Sequence, residues 1–332
     1  MKEPERGKEM LYLSKRDVLE IGLTQREILE MTRITLIEHG NKRYEMPAKI
    51  GIHPIRDTFM HAMPALVQSR QACGIKWVAC FPENWRKHGL AQTSALMIIN
   101  CPETGWPLCI LDATWVTAKR TAAVTALSCE FLARKDTAVA GLAGAGVQGR
   151  EHVLVLPGVL PNLKSIKIFD KSPETARQLI ADLQPKMPHV ELVQVNSFEE
   201  VVRGSLVVVS ATAILVKPAP QFRDEWVEPG AYLAPVDFDS LWEWKTFARA
   251  DKFLVDSVDE MNYFMTLGYL EHGLPPLHAE IGEVVAGLEP GREREDELII
   301  DMNIGMGVED VVIGRELYQR AVCNGIGTVL PL

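Results

Sequence analysis

Three glycines, Gly144, Gly146 and Gly149, stand in the register G-x-G-x-x-G within GAGVQG, directly after the apolar run TAVAGLA. In a strand–turn–helix setting such glycines serve three ends: a tight turn, close approach of a diphosphate to backbone, and close helix–strand packing. The intervening Val147 and Gln148 would open the helix whose unpaired N–H groups meet the diphosphate. Asp170 closes the next apolar run, SIKIFD, 24 residues after Gly146. A carboxylate there accepts from ribose hydroxyls and repels a 2′-phosphate, which favours NAD(H) over NADP(H), although the adjacent Lys171 softens that discrimination.

A second set of residues is out of keeping with its surroundings. Lys49 in MPAKIGI, Lys76 in CGIKWVAC and Arg120 in VTAKRTAAVTAL are cations in apolar segments. Burying them is costly unless they are paired or serve a ligand. Brought together they would make a receptor for an α-carboxylate, with Arg120 able to bind it bidentately. Partial desolvation would also let Lys76 exchange a proton. Asp237 and Asp239, in APVDFDS, follow an apolar run read as a parallel strand, at the edge where doubly wound sheets bind ligands. Two apart, they would share a face if the strand continued that far.

These residues need elements to position them. The segment 18–41 has helical spacing, with Thr24 and Glu27 as a capping box and a stop at Gly40. Short strand-like pieces follow, AKIGIHP, DTFMHAMPAL, CGIKWVACF and SALMIINCPETGWPLCILDA, in which Pro102 and Gly105 turn one strand back on another. From Thr117 to Leu132 the pattern is helical. Near-continuous apolar runs at 137–146, 165–170, 191–195, 205–210, 231–237 and 252–257 alternate with helix-like segments at 149–159, 173–183 and 197–202, the signature of a doubly wound parallel sheet. Beyond 258 the chain reads as helices around two loops, ending in a helix over 309–327.

Composition limits the alternatives. The 332 residues are 47% hydrophobic and 24% charged, ordinary for a globular chain of about two domains. A net charge of −9 without a basic block speaks against a nucleic-acid partner or an anionic membrane surface. No apolar run is long enough to span a bilayer, and MKEPERGKEM lacks the apolar core of a secretory signal, so a cytoplasmic enzyme is expected. The six cysteines have no CxxC spacing, and the eight histidines have no HExxH spacing, so neither a disulfide scaffold nor a metal site is expected.

Together, RTAA, GAGVQGREH, the CPETG turn, LDATWVTAKRTAA and the late GMGVEDVV segment resemble the ornithine cyclodeaminase/mu-crystallin family over about residues 12–332. The run MHAMPAL…GIKWVACFPEN is similar to the branch holding opine-type amino-acid dehydrogenases. The resemblance implies a Rossmann domain (126–305) inserted in an α+β substrate-binding and dimerisation domain (1–125, with a returning helix in 306–332), and a homodimer. It also implies hydride exchange between a nicotinamide and the α-carbon of an amine or imine beside a carboxylate. Substrates would be small α-amino, α-imino or α-keto acids. On this pattern Lys49, Lys76 and Arg120 grip the carboxylate, Lys49 standing where relatives carry arginine, and Asp239 is the catalytic acid–base group beside Lys76. Asp237 takes a glycine position. Thr121 and Thr212 join the fingerprint as cofactor-binding candidates. His61 stands where the cyclodeaminases place a glutamate against the substrate's distal amine, which disfavours ornithine cyclisation. The readings left open are amino-acid dehydrogenase or imine reductase, cyclodeaminase, opine-type dehydrogenase and a non-catalytic nucleotide-binding crystallin-like protein.

Overall fold

The computed structural model describes residues 4–5 and 7–332; residues 1–3 and 6, part of the charged N-terminal stretch, lie outside the described residues. In chain order the elements are β1 (Glu9–Leu13), α1 (Lys15–Ile21), α2 (Gln25–Gly40), β2 (Ile50–Ile52), β3 (Phe59–Val67), β4 (Ala72–Cys80), α3 (Asn84–His88), β5 (Thr93–Asn100), β6 (Pro107–Asp112) and α4 (Thr114–Leu132). Next come β7 (Val139–Ala143), α5 (Val147–Val159), β8 (Ser165–Phe169), α6 (Pro173–Leu183), β9 (Glu191–Gln194), α7 (Phe198–Val202), β10 (Val207–Ser210) and β11 (Tyr232–Pro235). The rest is α8 (Trp244–Ala248), β12 (Lys252–Val255), α9 (Val258–Thr266), β13 (Leu277–Glu280), α10 (Ile281–Val285), β14 (Ile299–Met302), α11 (Gly307–Asn324) and β15 (Thr328–Pro331). They form two compact units, one of residues up to Arg120 together with Gly305–Leu332, the other of Thr121–Ile304.

The first unit is built on a mixed seven-stranded sheet in the order β15-β1-β6-β5-β4-β3-β2. The β5–β6 hairpin turns through CPETG, where Gly105 adopts φ +76° and donates to the Cys101 carbonyl at 2.8 Å. Capping separates the first two helices. Gly22 ends α1 in the left-handed region, and Thr24 and Glu27 close the expected capping box on α2. Alternation along β4 buries Ala72, Gly74, Lys76 and Val78 on one face. Helix α11 covers that side of β3–β5 at very short range. A Cβ on Gly307 would sit 3.0 Å from the Met63 carbonyl, and one on Gly314, two turns on, 2.4 Å from Met97 Sδ.

The second unit holds an eight-stranded sheet, β13-β12-β14-β11-β10-β7-β8-β9, in which every pairing is parallel. Its order reverses between β7 and β10, the switch point of a Rossmann-type doubly wound sheet. One expectation fails here. The chain after 258 also contributes three strands, and β14 sits inside the sheet between β11 and β12. The last helix ends at Asn324 with Gly325 left-handed, so residues 328–331 are free to pair antiparallel with β1.

Candidate active site

In the first unit, β4 carries Lys76 on its covered face, wholly buried. The first turn of α11 brings two carboxylates to it. Lys76 Nζ lies 2.6 Å from Asp310 Oδ2. Arg120, on α4, reaches both acids, with Nη1 3.2 Å from Glu309 Oε2 and Nε 3.4 Å from Asp310 Oδ1. Lys49, just before β2 and buried, donates to the Gly305 carbonyl at 3.1 Å. Gly305 is needed for two reasons: its φ is +86°, and a Cβ there would lie 1.3 Å from Arg120 Nη1. Lys76 and Arg120 thus meet two buried carboxylates, with Lys49 near enough to act on Lys76 through its charge.

Burial pulls Lys76 down to about 7, with Arg120 and Lys49 acting in the same direction and Asp310 against them. His61 shares the buried face of β3, stacked on Phe59 at 4.2 Å. Burial, helped by Lys49, His53 and Lys76, holds its imidazole neutral, down at about 3. Gly51 lies opposite it because a Cβ would come within 2.2 Å of the ring.

In the second unit, the three fingerprint glycines each meet a different steric demand. Gly144 turns with φ +95°, and a Cβ would meet the Ala211 carbonyl at 2.4 Å. Gly149, on α5, approaches so closely that a Cβ would sit 1.9 Å from the Gly144 carbonyl. Gly146 faces open space, and α5 begins directly after it at Val147 and Gln148 with no side-chain cap. That is a backbone cradle able to receive a diphosphate. Asp170, one residue past β8, accepts from Ala145 N and Ser172 N, both at 2.8 Å, which ties the glycine cradle to the end of β8. Lys171 beside it is exposed, and Thr121 lies on α4, nearly buried. The residues present therefore fit a dinucleotide.

The strand carrying the aspartates stops earlier than expected. β11 ends at Pro235, and Phe238 adopts φ +59°, so Asp237 and Asp239 do not share a strand face. Asp237 is fully buried and accepts from Ser210 Oγ, Thr212 Oγ1 and Thr212 N, the last at 3.1 Å. It fixes the loop after β10 that carries Thr212. Asp239 takes no part in that network, and its Oδ1 has no hydrogen-bond partner among the described residues. Burial raises its pKa to about 6, opposed by its own backbone N–H and assisted by Glu271. A carboxylate with an open lone pair and a pKa near neutrality suits proton exchange.

Glu309, Asp310 and Gly305 were not among the residues expected to build the site, although GMGVEDVV held a signal: two adjacent carboxylates within an apolar first stretch of a helix. Among the described residues no group of three His, Cys, Asp or Glu is placed to hold a metal ion, and all six cysteines are free thiols.

Comparison with known proteins agrees with this construction. Residues 13–325 match the ornithine cyclodeaminase/mu-crystallin family. The nodulation efficiency protein NfeD of Rhizobium meliloti is 33% identical over 96% of this chain and 98% of its own. Among solved structures, Thermococcus litoralis Delta(1)-pyrroline-2-carboxylate reductase, in complex with NADH and L-proline, superposes with a TM-score of 0.87 at 27% identity, covering 96% of this chain and 99% of that one. An archaeal alanine dehydrogenase dimer with bound NAD gives 0.85 at 28% identity, covering 97% and 99%. With the match running almost end to end and the glycine cradle in place, the chain belongs to the ornithine cyclodeaminase/mu-crystallin family.

Proposed function

We propose that this protein is an NAD(H)-dependent oxidoreductase that interconverts a small α-amino acid and its α-imino acid. The observation that carries the reading is the gathering of three buried cationic side chains, Lys49, Lys76 and Arg120, at one place in the first unit. An α-carboxylate is the ligand such a group recognises, and Arg120 offers a planar fork for it. When bound, the dinucleotide supplies or accepts the hydride. Asp239 stabilises the iminium form of the substrate nitrogen and exchanges a proton with it. Neutral His61 offers no counter-charge to a distal ammonium, so a diamino acid is a poor substrate. The relatives support the chemistry: one solved structure holds NADH with L-proline, and the other is an alanine dehydrogenase with NAD.

The carboxylate reading is tested by pairing each substrate with its α-carboxamide, which has the same shape and no charge. Turnover of the amide should fall at least about 100-fold in kcat/KM, the scale of one lost charge-assisted contact. Equal rates would remove the receptor from its role.

NAD(H) is the preferred cofactor on this reading, because Asp170 follows the strand after the glycine cradle, a position from which a carboxylate would repel a 2′-phosphate. Asp170→Ser should improve the NADPH to NADH ratio of kcat/KM by about tenfold or more, equivalent to about 1.4 kcal/mol of relieved repulsion. An unchanged ratio in the two-cofactor assay would leave the preference to other residues.

The working assembly is a homodimer built on the outer face of the first sheet. Trp77 on β4 pairs directly with Ala62 on β3 and Leu96 on β5, and Ile75 with Pro64 and Ile98. Trp77 and Leu96 are 40% and 50% exposed, an apolar row that a second copy would cover. Trp77→Glu should convert a dimer to a monomer in multi-angle light scattering. A dimer of unchanged stability would exclude this face.

A further inference from the structure

We propose that Asp310 is a positioning residue for the substrate receptor, its carboxylate bridging Lys76 and Arg120 and holding the two aligned to meet one substrate carboxylate. The inference rests on the receptor reading above and adds a device that tunes it. One carboxylate bridges two cations, Oδ2 to Lys76 Nζ at 2.6 Å and Oδ1 to Arg120 Nε at 3.4 Å, and all three side chains are nearly or wholly buried. Asp310 stands in the first turn of the 18-residue helix α11, where the helix dipole stabilises an anion without help from solvent. Glu309 beside it is engaged by Arg120 Nη1 and by the Met306 N–H at 3.3 Å, which leaves Asp310 as the acid in contact with Lys76.

The charged and titratable groups acting on Lys76 come from several elements: Asp310 from α11, Arg120 from α4, Lys49 from the segment before β2, and neutral His61 from β3, while β5 presents Met97 opposite. Burial, Arg120 and Lys49 all favour loss of the Lys76 proton, and Asp310 opposes them through charge and hydrogen bond. The balance rests near 7. With Asp310 gone, the other influences all point downward, so the charged fraction of Lys76 at physiological pH falls well below its wild-type value and the receptor is weakened.

The test is the pH profile of kcat/KM in the imine-reducing direction, which reports protonation of the free enzyme. In the wild type, activity should fall as pH rises through the Lys76 transition. In Asp310→Asn the midpoint should move down by at least about one pH unit, with kcat/KM near pH 7.5 lower by about tenfold. NADH affinity should be unchanged, and Asp310→Glu should recover most of the wild-type profile. Lys76→Arg, which cannot lose its proton in this range, should abolish the transition near 7 while retaining the charge, leaving only a limb near 6 that belongs to Asp239. A lower rate at every pH with an unmoved midpoint would assign Asp310 a purely structural role. An unaltered transition in Lys76→Arg would detach it from this pair. Either result overturns the proposal.

A second readout needs no turnover. A lysine whose folded pKa lies below its unfolded value makes stability rise with pH between the two values, because the unfolded state binds the extra proton there. Asp310→Asn extends that window to lower pH, so its Tm deficit against wild type should shrink from pH 5.5 to 7.5. A constant deficit overturns the proposal. If no amino or imino acid is turned over, the functional reading fails, and this arm still decides the role of Asp310.

Discussion

Asp239→Asn should lower kcat by about 10²–10⁴-fold, the usual range for loss of a positioned acid–base group, while NADH binding by fluorescence titration stays within about twofold. The asparagine keeps the shape and size of the side chain. It loses the charge that stabilises an iminium nitrogen and the ability to hold its proton. The pH dependence gives the sign. Burial lifts Asp239 to about 6, so the group is a carboxylate above that value and a neutral acid below it. In the amine-oxidising direction the carboxylate is required, and kcat should rise about tenfold per pH unit up to about 6 and then level off. Asp239→Asn should lack that limb. An asparagine variant with wild-type turnover, or one that keeps the same limb, would place the proton exchange elsewhere.

Arg120→Met should be as damaging, through binding. Removing the fork takes away a bidentate contact to the substrate and leaves Glu309 and Asp310 sharing a buried site with less positive charge. Breaking a buried ion pair from one side costs about 3–5 kcal/mol. Expected are a rise in KM of about 10²-fold or more for the carboxylate substrate and a lower Tm. Arg120→Lys retains a charge and loses the planar geometry that spans two acids, so it should fall between wild type and methionine. Substrate saturation unchanged in Arg120→Met would contradict the assignment of the receptor.

What the sequence disclosed depended on how local each constraint is. Gly144, Gly146 and Gly149 answer to backbone crowding within six residues, so their spacing was readable in advance, as was the Thr24–Glu27 cap. Strand β14 was missed because its apolar stretch is four residues set between Glu297 and Asn303 and includes Asp301, too short for a periodic signal. The ion network at Arg120 was only half visible. Its cations stood out in apolar segments, while Glu309 and Asp310 looked like ordinary first-turn acids of a helix. Their partner lies 189 residues earlier in the chain, a pairing that only the tertiary fold reveals. Asp237 and Asp239 were found, and their relation was misread. The turn through Phe238 sends one to Ser210 and Thr212 and leaves the other with an open oxygen.

The most direct test of the central claim is NADH oxidation by the purified protein, followed at the nicotinamide absorbance. The substrates would be pyruvate with ammonia, Δ1-pyrroline-2-carboxylate, and pyruvate paired with a second amino acid, each repeated with NADPH. Carboxylate-dependent oxidation of NADH is expected with at least one imine-forming substrate, lowered by about 10²–10⁴-fold in Asp239→Asn and sharply weakened in Arg120→Met. The substrate that works distinguishes an amino-acid dehydrogenase, a cyclic-imine reductase and an opine-type enzyme. Tight NADH binding with no oxidation by any of them would contradict the account and leave a nucleotide-binding protein of this family without the proposed chemistry.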